Sequence, residues 1–192
     1  MRRITFTIAA VAALALPAGA QRNAIANTGK EIRSFVGAFV PTGSQQNDFK
    51  AATTVGITLA EELTDHLHVL GSVAWTHGHN KFAGFNDDRT FIWQYDGGLE
   101  LNSLHWLTDE WLLRPLVGVG VGARTYDYQA TNISSYTCSA GYGSVGSELQ
   151  HGIVALRFEA RDYINCFKSP VKSTNSTRND LSLNFGIVYH IR

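Results

Sequence analysis

The chain of 192 residues balances 16 Lys and Arg against 16 Asp and Glu, and 44% of it is hydrophobic. Zero net charge and a pI near 7.1 leave no basic face for phosphate, which argues against nucleic-acid binding. A mean hydropathy of -0.08 is too polar for a bundle of membrane helices, but it does not exclude a membrane barrel, where only alternate residues meet lipid.

The first segment reads as an export signal. Arg2 and Arg3 precede an apolar run over residues 4–16, then Pro17 and the small residues Ala18-Gly19-Ala20. A spanning helix needs about 20 apolar residues, so this order fits a signal peptide cleaved after Ala20. The expected division is a signal peptide over 1–20, a short N-terminal periplasmic segment over 21–30, and a barrel over 31–192.

From residue 31 onward the dominant period is two. Alternation is strongest over 91–101, 113–123, 153–164 and 181–191. In the last of these Leu181, Leu183, Phe185, Ile187, Tyr189 and Ile191 alternate with smaller or polar residues. In the third, Leu156 and Phe158 oppose Arg157, Glu159 and Arg161. Weaker strands are predicted over 31–40, 49–61, 66–77 and 141–150, which makes eight. Short turns are predicted at 62–65, 102–110 and 151–152, and long polar loops at 41–48, 78–90, 127–140 and 165–179. Short turns at one end and long loops at the other are how an outer-membrane barrel is connected.

Cys138 and Cys166 are the only cysteines. Both fall in the last two predicted long loops, and an oxidising compartment favours pairing, so a disulfide stapling those loops is expected. Two free thiols are the competing reading. Their spacing matches no zinc motif.

Parity alone does not say which face is inside, because a soluble lipocalin-like barrel also alternates. Two features favour lipid outside. The polar parity is thin, with Gly98, Gly118, Gly120, Gly122 and Gly146, and nearly free of lysine. Aromatic residues gather in two bands, with Trp75, Phe91, Trp93, Tyr126 and Tyr163 toward the long loops and Trp106, Trp111 and Tyr189 toward the short turns. A third feature is the terminal strand, where Asn184, Gly186, Tyr189 and Ile191 follow a polar-x-Gly-x-x-aromatic-x-hydrophobic pattern.

With that terminal pattern the chain resembles the OmpA-like and OmpX-like small outer-membrane β-barrels, over residues 31 to 192. The resemblance implies an all-β, eight-stranded antiparallel up-and-down transmembrane barrel, located in the outer membrane and monomeric. It also implies outer-membrane lipid, lipopolysaccharide and the barrel assembly machinery as partners, with Asn184, Gly186, Tyr189 and Ile191 as the assembly signal. The pattern departs in one respect, since such chains often stop at Phe or Trp and this one ends with Ile191-Arg192.

An eight-stranded barrel is just wide enough for side chains to fill. The inward set is expected to hold Asp96, Glu100, Arg114, Arg124, Glu148, Arg157, Glu159 and Arg161, with Glu31 and Arg33 as candidates to join them. Buried charges are tolerated only when paired, and the near-equal signs permit that. This reads as a structural plug rather than a passive pore.

The chemistry-bearing residues support little beyond this. His77 and His79 share a parity and invite a metal, but their nearest third ligands are Asp87 and Asp88, so no metal site is assigned. His66 and His68 read as polar lining at the barrel's base. Ser72, Ser144, Ser147, His77 and His151 show no dyad spacing, so no catalytic residue is assigned. The polar segment over 127–140 is rich in Tyr, Ser, Thr and Asn, and suits contacts with an extracellular partner. The resulting expectation is a non-enzymatic outer-membrane protein with a structural or surface-interaction role and no cofactor. A lipid-modifying enzyme, a narrow pore and a soluble ligand-binding barrel are the alternatives.

Overall fold

The computed structural model describes residues 29–81, 89–129, 134–168 and 175–191. The expected signal peptide, most of the segment 21–30, and Asp87 and Asp88 lie outside them. The described chain is almost wholly strand: β1 (Lys30–Pro41), β2 (Ala52–Thr64), β3 (Leu67–His79), β4 (Arg89–Asn102), β5 (His105–Trp106), β6 (Trp111–Tyr128), β7 (Tyr136–His151), β8 (Val154–Lys168) and β9 (Asn175–Ile191). A 3-10 turn at Gly43–Asn47 follows β1. No helix among the described residues is long and apolar enough to cross a membrane, which says nothing of strands.

Every pairing is antiparallel between neighbours in the chain, and β1 with β9 and β4 with β6 complete the ring. Eight strands therefore form a closed up-and-down barrel, with β5 a two-residue ribbon folded back on β6. Paired residues followed once around the wall lead from Glu31 through Ala60, Leu70, Gly98, Gly120, Tyr142, Tyr163 and Asp180 to Pro41. The path returns to β1 further along the strand than it started. That stagger tilts the strands by roughly 35–45° and fixes a narrow bore.

Side chains alternate across this wall with the sign reversed from a soluble barrel. Val119, Phe158 and Phe185 are 64%, 51% and 53% exposed, while Arg157, Glu159 and Arg161 are 5% or less. Apolar side chains cover the outside and ionic ones fill the centre, as a hydrocarbon surrounding dictates. The soluble-barrel alternative is set aside on this ground.

Strands run further than alternation predicts at the long-loop end. β6 continues to Tyr128 and β7 starts at Tyr136, where a loop over 127–140 is expected. β8 and β9 likewise extend to Lys168 and from Asn175. The reason is chemical: above the apolar band the outward residues become Thr125, Asp127 and Thr137, so the period-two contrast disappears while the backbone ladder continues. At the opposite end Gly152, with φ 62°, makes the tight turn between β7 and β8, a conformation that costs glycine little.

Two expectations about individual residues are corrected here. Tyr126 and Tyr163 do not join the outer aromatic band, for both are fully buried inside the barrel. Cys138 and Cys166 are free thiols in paired strands rather than loop cysteines joined by a disulfide. Cys138 takes the buried parity of β7, whereas Cys166 follows the buried Asn165 and so takes the opposite parity of β8. The Cys138 thiol donates to the carbonyl oxygen of Cys166.

Candidate functional site: a buried, charged lumen

The lumen is layered from the short-turn end upward. In the lowest layer Arg33 grips Glu100 with both terminal nitrogens, at 3.0 and 3.1 Å, and donates its Nε to Glu31 at 2.8 Å. Arg157 binds Glu100 from the other side and donates to Glu159 at 3.3 Å. Arg114 Nη1 lies between Glu31 at 3.0 Å and Glu148 at 3.3 Å. Each carboxylate is thus shared by at least two cations, which offsets the desolvation that burial imposes. Bidentate forks of this kind suit the planar guanidinium better than any lysine.

In the middle layer Arg161 binds Glu159 through Nε at 2.8 Å and lies over the Tyr142 ring at 5.1 Å. Asp96 accepts from Tyr163 at 2.8 Å and from Gln94 at 2.7 Å. Space for Tyr142 comes from the thin polar parity: a Cβ on Gly98 or Gly120 would overlap the tyrosine ring or its hydroxyl. In the upper layer Arg124 donates to Asp180 at 2.5 Å and to Gln94 at 2.7 Å, with Tyr163 against its face at 4.2 Å. Asn165 completes the pair by donating to Asp180 at 2.7 Å.

Above the charges lies an apolar cluster of Phe39, Phe49, Ile92, Tyr126, Tyr128 and Cys138. Phe49 stacks on Tyr126 at 5.7 Å between centroids. The space beside Arg33, Thr58, Arg157 and Glu159 is about 10 Å³, room for one water. A larger hollow of about 440 Å³, lined by Ile57, Leu59, Gly71, Val73 and Tyr95, is on the outer wall.

All eight charged residues assigned to the lumen from sequence, together with Glu31 and Arg33, are buried on the inward face. Sequence reasoning left out Asn165, which it placed in a loop, Asp180, which it assigned to neither loop nor strand, and the polar partners Ser72, Tyr163 and His190. Continuing the parity of Arg157, Glu159 and Arg161 to Tyr163 and Asn165 would have found two of them. His68 is buried against Asn102 and Glu31, whereas His66 is exposed at the turn and does not line the base.

The remaining candidates separate. His77 and His79 are on the outward parity, ring to ring at 5.3 Å, and His77 stacks on Trp75. Ser144 faces inward, and Ser147 and His151 outward; His151 packs on Trp111 at 4.7 Å. A serine–histidine contact that sequence reasoning missed joins Ser103 Oγ to His105 Nε2 at 3.0 Å in the β4–β6 turn. Among the described residues His105 has no carboxylate partner. In the terminal strand Asn184 and Gly186 face inward, while Tyr189 and Ile191 are 49% and 38% exposed.

Glu31, Glu148 and His190 bring one ligand atom each within 4.8 Å of the others, the arrangement a metal ion would use. Arg114 Nη1 is already bonded to the same Glu31 and Glu148 oxygens, so a guanidinium holds the place a cation would take.

No family model and no curated protein matches the chain. Solved structures do. Neisserial surface protein A (NspA) aligns with a TM-score of 0.61 at 10% identity, covering 85% of this chain and 97% of that one. The outer-membrane protein AlkL aligns at 0.45 and 14% identity, covering 93% and 97%. Ail, the attachment invasion locus protein of Yersinia pestis, aligns at 0.44 and 13%, covering 85% and 100%. Closed ring, strand count and alignment with NspA agree, and the chain has the fold of the small eight-stranded outer-membrane β-barrels.

Proposed function

We propose that the chain is an integral outer-membrane protein, exported through a cleaved signal peptide, whose barrel serves a structural or surface-interaction role and does not conduct. The observation that supports this most is the lumen, where stacked ion pairs and an apolar cap leave about one water of free space beside Arg33. A conduit needs a continuous polar path, and an eight-stranded bore filled by guanidinium–carboxylate pairs leaves none. The barrel is a monomer in outer-membrane lipid and lipopolysaccharide, with Asn184, Gly186, Tyr189 and Ile191 read by the assembly machinery. Connections at the long-loop end are the surface offered to an extracellular partner.

The test is electrical and biochemical together. Refolded protein in planar bilayers is expected to give no unitary current, while cells bearing it gain or lose binding to a surface partner when the long connections are exchanged. Steady conductance that survives repeated purification would overturn the sealed-lumen reading. A second reading, a lipid-modifying enzyme, draws on the Ser103–His105 contact. Turnover of phospholipid or lipopolysaccharide that disappears in Ser103→Ala would establish it.

A further inference from the structure

Among the described residues there are six buried carboxylates, Glu31, Asp96, Glu100, Glu148, Glu159 and Asp180, but five buried guanidiniums, Arg33, Arg114, Arg124, Arg157 and Arg161. A net negative charge sealed in a narrow bore is costly, and burial without a counter-ion costs several kcal/mol. Two buried histidines, His68 and His190, are available to supply the missing charge.

Their surroundings differ. His190, next to the end of β9 and level with Tyr189, has Nδ1 3.2 Å from Glu31 and Nε2 3.4 Å from Glu148. Ionised carboxylates only accept hydrogen bonds, so an imidazole facing one at each nitrogen is satisfied when both nitrogens carry protons. His68 instead takes the Asn102 amide at Nδ1, 3.0 Å away, and has Arg114 Nη2 3.3 Å from its Nε2. His68 thus faces a single carboxylate, Glu31 at 3.5 Å from Nε2, rather than one at each nitrogen. The charged and titratable groups facing His190 are thus Glu31 from β1, Glu148 from β7, Arg114 from β6, and His68 from β3 beside Glu31.

We propose that His190 is held as an imidazolium between Glu31 and Glu148 and is the sixth cation of the lumen, so that the sealed barrel binds one proton. The consequence is a pH-sensitive seal at the short-turn end. Below the free-histidine value both folded and unfolded chains carry this proton. Above it the unfolded chain releases the proton and the folded barrel retains it, so stability falls as pH rises.

Ring-nitrogen NMR of histidine-labelled protein, refolded in lipid, tests this on the native chain, with His68→Gln used to resolve the His190 signals. Both His190 nitrogens are expected to be protonated at about pH 8, well above the free value of about 6.5. A bare ring nitrogen at that pH overturns the proposal. Urea unfolding between about pH 6 and pH 9, a range spanning that free value, gives a second readout. The wild-type midpoint is expected to fall with rising pH, and the slope to disappear in His190→Gln while surviving in His68→Gln. An unchanged slope in His190→Gln, or its loss in His68→Gln, assigns the proton elsewhere and refutes the proposal.

Discussion

Glu100 accepts four bonds from two guanidiniums of the lower lumen, so removing its charge is a sharp test of the plug. It is 1% exposed and accepts from Arg33 at 3.0 and 3.1 Å and from Arg157 at 3.3 Å, with a further short bond to Arg157 Nη2. Glu100→Gln keeps the shape but replaces one acceptor oxygen with an N–H donor aimed at guanidinium donors. Four charge-assisted bonds taken separately, at about 1.5–3 kcal/mol each, would overcount, because the guanidiniums keep Glu31, Glu148 and Glu159. Breaking one member of a buried ionic network costs roughly 3–5 kcal/mol, which lowers the folding equilibrium constant by roughly two to four powers of ten. The assay is urea unfolding of barrel refolded in phospholipid vesicles, followed by tryptophan fluorescence. Glu61→Gln, on the outward parity of β2, is the exposed control and is expected to stay within about 0.5 kcal/mol of wild type. A Glu100→Gln barrel as stable as that control would show that the lumen charges do not hold the fold.

Other outcomes follow from the same structure. Gly98→Ala is expected to cost about 1–3 kcal/mol by pressing on the Tyr142 hydroxyl and the Val119 carbonyl oxygen, and Tyr142→Phe should restore only the first part of that loss in the double variant. Val119→Arg, placed on the lipid side, is expected to cost about 2–4 kcal/mol in vesicles, whereas a solvated surface would tolerate it. Cys138 is expected to resist maleimide in the folded barrel and to react after unfolding without reductant, as a free buried thiol does. Absence of labelling in the unfolded chain would restore the disulfide.

The barrel was legible because one lipid-facing parity is apolar across the hydrocarbon band. Leu156 and Phe158 against Arg157 and Glu159 mark both strand and face in four residues. The same physics explains what was missed. Once outward positions turn polar, as at Thr125 and Asp127, contrast vanishes and Tyr126 looks like an interfacial aromatic when it is a lumen residue. Parity was still readable there, since Tyr126 follows Arg114 and Arg124 in step, and Cys138 follows Glu148. It places Cys138 with the inward set of β7 and Cys166 out of step with Arg161, which argues against their pairing. Which histidine faces two carboxylates was not readable, because Glu31, Glu148 and His190 come together only when β1, β7 and β9 close the ring. Ser103 and His105 were overlooked for a different reason: they lie in a turn, where no periodicity draws attention.

Spin-label accessibility at Leu156, Phe158 and Phe185 tests the inverted arrangement most directly, because each position is predicted to face hydrocarbon. Collisions with oxygen dissolved in the bilayer should dominate at all three, with a water-soluble nickel complex excluded. Strong relaxation by the nickel complex, or shielding from both reagents as in a packed interior, would contradict a barrel with lipid outside and its charges within.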